Sequence, residues 1–167
     1  GLSLDAGATP VTTLSGLTHL AGCTVAILTD GAIHPSRVVT AGGTVTLDYA
    51  STVIHTGLPY TSTLTTMEIE AGAQQGSAQG KKKRVIDATI RFYRTILAKF
   101  GRDATHIDEI PFRKEGDIMG TSPALFTGDK RIDFPMGWDE SAKVTVISDL
   151  PLPCTVLAII PTVDVVE

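Results

Sequence analysis

Valine, isoleucine and threonine occupy 50 of the 167 positions, and that load constrains the backbone more than anything else in the sequence. Branching at Cβ leaves these side chains few χ1 rotamers, which counts against a helix and suits a pleated strand. Sixteen glycines and nine prolines punctuate the chain at short intervals, as turns between short strands require. The expected class is a mainly β, soluble domain with little helix; a helical bundle, a coiled coil and a disordered tail are excluded. No run approaches ~20 uninterrupted apolar residues, so no membrane-spanning helix and no membrane partner are expected. Cys23 and Cys154 are too few and too far apart for a disulfide framework and read as buried free thiols. The chain starts at Gly1 rather than Met and shows no charged-then-apolar leader, which reads as a fragment or a processed product.

The pattern divides the chain in three. Residues 1–19 are rich in Gly, Ser and Thr and read as an entry segment or linker. Residues 20–60 carry short strands between turns and read as a small β-barrel module: Cys23–Thr29, the turn Asp30-Gly31, Arg37–Thr40, the turn at Ala41–Gly43, the alternating strand Thr44–Tyr49, and Thr52–His55. Residues 61–167 read as a mostly antiparallel sheet or sandwich. Its expected strands are Tyr60–Glu70, Arg131–Phe134, Lys143–Ser148 with alternating burial, and Cys154–Thr162 as a central strand covered on both faces. Gly72–Gly80 reads as a loop and residues 103–128 as irregular. Residues 82–100 fit two periods. Ile86, Ile90, Tyr93, Leu97 and Phe100 have helical spacing, while Ile86, Ala88, Ile90 and Phe92 alternate as in a strand.

Charge is uneven. Residues 81–102 hold eight basic side chains and one acidic one, against a net charge of −4 for the whole chain. Lys81, Lys82, Lys83 and Arg84 head this run and are the candidate contact residues. They suit either the acidic surface of a neighbouring copy or the phosphates of DNA, with Phe92, Tyr93 or Phe100 as stacking platforms in the second case. A merely solvated charged face is the third reading.

Catalytic patterns fail one by one. The stretch GSAQGKKK lacks the first glycine of a phosphate loop, because Gln75 stands there, and lacks its magnesium-binding hydroxyl, because Lys82 does. Asp103, His106, Asp108 and Glu109 supply hard donors without a metal-loop spacing. The acidic pairs Asp108/Glu109, Glu115/Asp117 and Asp139/Glu140 come with a single tryptophan, Trp138, too little for a sugar platform. No GxSxG elbow occurs. No catalytic residue, no metal and no cofactor are expected, and the chain is not expected to be an enzyme.

Five segments in order carry a resemblance: LAGCTVAILTDGAIHPSRVVTAGGTVTL, HTGLPYTSTLTTMEIE, GSAQGKKKRVIDATIRFYRT, SPALFTGDKRIDFP and SDLPLPCTVLAIIPTV. This series resembles the C-terminal part of the nozzle (tail tubular, or tail stabilisation) proteins of short-tailed phages, over roughly residues 14–163. Leu20–Leu47 also resembles the small barrel modules called first-catalytic-cysteine-half-domain-like, a label of shape and not of chemistry. The resemblance implies a virion structural protein that forms a hexameric ring below the head–tail adaptor and extends the DNA exit channel. Its implied partners are copies of itself, the adaptor, other tail proteins, and DNA that passes without sequence-specific binding. It also implies a strand for RVIDATIRFYRT. The sequence departs from the family pattern at Ile96–Lys99, where relatives are Gly-rich, and this leaves room for a short helical turn. The competing expectation is a tail-associated β domain that contacts DNA or a host surface.

Overall fold

The structure is a computed structural model that describes residues 1–7, 9–70, 77–113, 115–117, 122–134 and 137–166. The protein is mainly β, in several antiparallel sheets, with one turn of 3-10 helix at Thr18–Leu20 as the helical content of the described residues. The chain forms two compact units. Residues 1–61, 116–123 and 149–152 make the first, and residues 62–115, 124–148 and 153–167 the second.

The first unit holds β1 (Leu2–Asp5), β2 (Val11–Leu14), β3 (Thr24–Thr29), β4 (Ala32–Val38), β5 (Val45–Ser51) and β6 (Val53–Gly57). One sheet runs β1-β6-β3-β4, and β2 pairs with β5 in a separate ribbon. Residues 1–19 are therefore not a bare entry segment. Leu2 and Leu4 alternate with Ser3 and Asp5 along β1, and Leu14 and Leu17 are buried beside Val25, Ile27, Val45 and Ile54. Polar composition hid this alternation.

The expected barrel is also corrected, since no sheet closes among the described residues. β5 pairs with β2 rather than closing onto β4, and a side chain carries the link from β4 to β5. His34 is buried, and its Nε2 accepts the Asp48 N–H at 2.9 Å. The proton therefore sits on Nδ1, which donates to the Pro35 carbonyl at 2.8 Å. Asp30-Gly31 turns the chain as expected, with φ of 48° and 79°, the left-handed pair that a tight hairpin needs. The Asp30 carboxylate also accepts from the Thr52 hydroxyl at 2.6 Å and the Val53 N–H at 2.8 Å. These bonds hold its carboxyl below the usual carboxylate value and fix the start of β6.

The second unit holds β7 (Ser62–Thr65), β8 (Lys83–Thr95), β9 (Lys99–Gly101), β10 (Ile107–Glu109), β11 (Phe126–Asp133), β12 (Thr145–Ser148) and β13 (Val156–Val165). Its sheets run β10-β9-β12-β7 and β11-β8-β13. The two-period conflict resolves as the strand β8, and residues 96–98 are irregular rather than a helical turn. The strand expected over Tyr60–Glu70 is confined to the four residues of β7, and β11 starts five residues before the expected Arg131. Residues 72–76 of the expected loop lie outside the described residues.

Two strands exchange their expected places. Val144, Thr145, Val146 and Ile147 are all buried, so β12, flanked by β7 and β9, is covered on both faces. β13 is instead the edge of its sheet, and none of its residues is fully buried. Phase along β8 also differs from plain alternation. Val85, Ala88, Ile90 and Phe92 are all fully buried, while Ile86 is 41% exposed. A bulge accounts for this: Thr162 pairs with Asp87 but Val163 with Val85, which leaves Ile86 as the extra residue. All five phenylalanines belong to this unit's core or its margin, and Phe92 meets Phe112 edge-on at 5.2 Å.

Candidate functional site

Lys81–Arg84 lead into β8, and the backbone there sends the four side chains to different environments. The Lys81 N–H closes a turn onto the Ala78 carbonyl, and Gly80 at φ 72° makes that turn. Lys82 is exposed, while its carbonyl accepts the Val166 N–H at 3.0 Å. Lys83 exchanges two backbone hydrogen bonds with Asp139, at 2.7 and 2.8 Å, and its side chain runs into the protein with only 1% of the residue exposed. Arg84, on the opposite side of the strand, places its guanidinium 5.8 Å from the centre of the Trp138 ring, within reach of the ring's electron-rich face. The four residues do not make one open basic patch. Two face solvent or partly so, one is buried, and one is stacked.

The rest of the run is largely matched within the unit. Arg91 makes a two-pronged pair with Asp129, at 2.7 and 2.9 Å. Arg102 reaches Asp103 at 3.3 Å. Phe92 and Phe100, expected as stacking platforms, are core residues at 0% and 3% exposure, and Tyr93 is half-exposed. The second unit carries thirteen basic and thirteen acidic residues, so its charge cancels. The first carries one basic residue, Arg37, and five acidic ones, and holds the whole net charge of −4. Arg37 itself pairs with Asp48.

Asp87, the one acidic residue of the run, has a role that charge counting did not show. It is buried on β8, between the Arg131 guanidinium at 2.8 Å and the Thr162 hydroxyl at 2.9 Å. It thereby links β8 to both β11 and β13. The Arg131 bond, then the Thr162 bond, hold its carboxyl below the ordinary carboxylate value against the desolvation that would raise it. The stabilising effect of such a group is complete above the unfolded carboxyl's pKa of about 4 and is lost as pH falls through the lower folded value. Asp87→Asn is expected to weaken the fold at pH 7 and to flatten the loss of stability between about pH 4 and pH 2. Urea midpoints across that range check it, and parallel curves for the two proteins would refute it.

Of the four residues weighed for metal binding, Asp103 and His106 are engaged with each other, and Asp108 and Glu109 are exposed on β10. The Asp103 carboxylate accepts from the Thr105 N–H and hydroxyl, the His106 N–H and the His106 ring, all within 3.0 Å. These bonds hold its carboxyl far below the ordinary carboxylate value. Among the described residues, no three His, Cys, Asp or Glu side chains converge as metal ligands. Both cysteines are free thiols, but Cys23 is exposed rather than buried, and Cys154 is half-buried, which pushes its thiol pKa up.

The outward face of the β11-β8-β13 sheet changes character across its width. On β11 and β8 it carries the pairs Asp129–Arg91 and Arg131–Asp87. On the first half of β13 it is apolar, with Leu157 at 60% and Ile160 at 51% exposure, before Thr162 and Asp164 follow on the same face. Among the described residues no helix is long and apolar enough to cross a membrane. No family model matches the chain, and no curated protein matches it.

Proposed function

We propose that this chain is a structural component of a phage virion tail. In this reading it is a nozzle or tail-tube element, assembled as a ring of copies below the head–tail connector, and it forms part of the channel through which DNA leaves. It performs no reaction and needs no cofactor. The ordered series of motifs over residues 14–163 suggests the family. The division of charge is the structural observation that carries the reading: an acidic first unit with one arginine, already paired, and a second unit whose bases are matched by its own acids. A wall that leaves phosphates unneutralised lets DNA slide, whereas a row of free lysines would create affinity that rises as salt falls.

The competing reading, a domain that grips DNA, has Lys81 and Lys82 as its remaining candidates. The discriminating variant is Lys81→Ser with Lys82→Ser. A four-residue replacement would confound the result, because Lys83 is buried and Arg84 packs on Trp138. Mass photometry and electron microscopy of the protein should show rings, which the double variant weakens and makes less sensitive to salt. A fluorescence titration with duplex DNA should show no binding at low salt. A strict monomer at all concentrations would sink the tail reading. DNA binding abolished by the two substitutions would replace it with the gripping one.

A further inference from the structure

We infer that Pro161 is a built-in block on self-association, set in a strand edge that would otherwise pair with a second copy of this chain. The inference rests on the geometry of β13 and is independent of the tail reading.

Backbone groups along a strand point alternately to its two sides. The Val166 N–H donates to Lys82 on the β8 side. β13 runs without an extra residue of its own from Val165 back to Ala158, because the irregularity near Thr162 lies in β8. Asp164, Thr162 and Ile160 therefore turn their backbone groups toward β8. Val165, Val163, Pro161 and Ile159 turn theirs to the open side. No described backbone group bonds to that side of β13.

The open edge has the properties that favour pairing with an identical strand. β13 is ten residues long and has a single charged residue, Asp164. Leu157 and Ile160 stand exposed along it. An antiparallel second copy centred near Ile160 and Pro161 would set Asp164 against apolar residues and nowhere against another acid. Long, apolar, weakly charged edges template such pairing. Proline cannot donate to the new ladder, and its tolerated place in a sheet is an edge with the missing N–H outward. Pro161 sits in that place, at the middle of the open row, so Ile159 and Val163 are separated by a gap in the donors.

Pro161→Thr restores the donor with a residue suited to a strand. Sedimentation velocity and mass photometry, at concentrations matched to the wild type, should show self-association tightened by roughly tenfold or more, the equivalent of about 1.4 kcal/mol. Amide exchange at Ile159 and Val163 should slow in the associated species. Adding Ile160→Lys places a charge on the same exposed edge and should return the mass distribution to that of the wild type. Two results would overturn the inference. One is a Pro161→Thr protein with unchanged masses at every concentration. The other is an association that Ile160→Lys does not reverse and that leaves exchange along β13 unprotected, because the copies would then be meeting elsewhere.

Discussion

Phe92→Ala is expected to destabilise the second unit by about 3–5 kcal/mol, the range for removing a fully buried phenylalanine. Phe92 sits in the middle strand of its sheet, opposite Gly128 of β11 and Val156 of β13, with its ring against the edge of Phe112. Glycine on one flank supplies no side chain to collapse into the space, so the cavity should persist. In a chain of this size the loss corresponds to a fall in Tm of roughly 10 °C. Phe92→Leu should recover most of it. Guanidinium titrations followed by near-ultraviolet circular dichroism measure the difference, and a loss below about 1 kcal/mol would contradict this packing.

Gly101→Ala is expected to cost about 3 kcal/mol or more, at or above the upper end for overpacking. A Cβ at this position would lie 1.8 Å from the His106 carbonyl oxygen and 2.8 Å from the Ile107 Cα. Both obstacles are backbone, so no side chain can swing aside. Gly101 is paired with Ile107 of β10 on one side and Thr145 of β12 on the other. The strand has no free direction in which to shift, and the β9–β10 hairpin must part. Amide exchange should accelerate at Arg102, whose N–H donates to His106, and along β10. Gly137→Ala meets nothing within 4 Å and serves as the control. Equal stability of the two variants would refute the close approach.

Local features were legible in the sequence and distant ones were not. Asp30-Gly31 and the alternation of Val45 and Leu47 with Thr46 and Asp48 appear where expected because a hairpin turn and a strand period are set by neighbours in the chain, whereas Tyr49, expected on the buried face, is 45% exposed where the register with β2 shifts. The exchange of β12 and β13 was partly readable. Pro161 lies inside the apolar run 154–162, and a proline there argues for an edge, whatever the hydropathy of its neighbours. The bulge at Ile86 was not readable, because it exists only relative to the register of β13, some 75 positions away. The charge of the basic run misled for the same reason. Counting along the chain cannot know that Asp129 returns to face Arg91, or that the backbone of Asp139 draws Lys83 into the protein. The leucines of β1 were visible but outweighed by the Ser and Gly around them.

The bulge at Ile86 bears on how this segment can change in length. It is the odd residue that lets Val85 and Ala88, three apart, face the same core. Deleting one residue between them would restore an even ladder and turn either Lys83 and Val85 or Ala88, Ile90 and Phe92 outward. Insertions and deletions in this strand should therefore survive only in compensating pairs, or where a bulge moves with them. In natural variants of the chain, parity of length between Val85 and Phe92 should be kept even where the residues themselves are not.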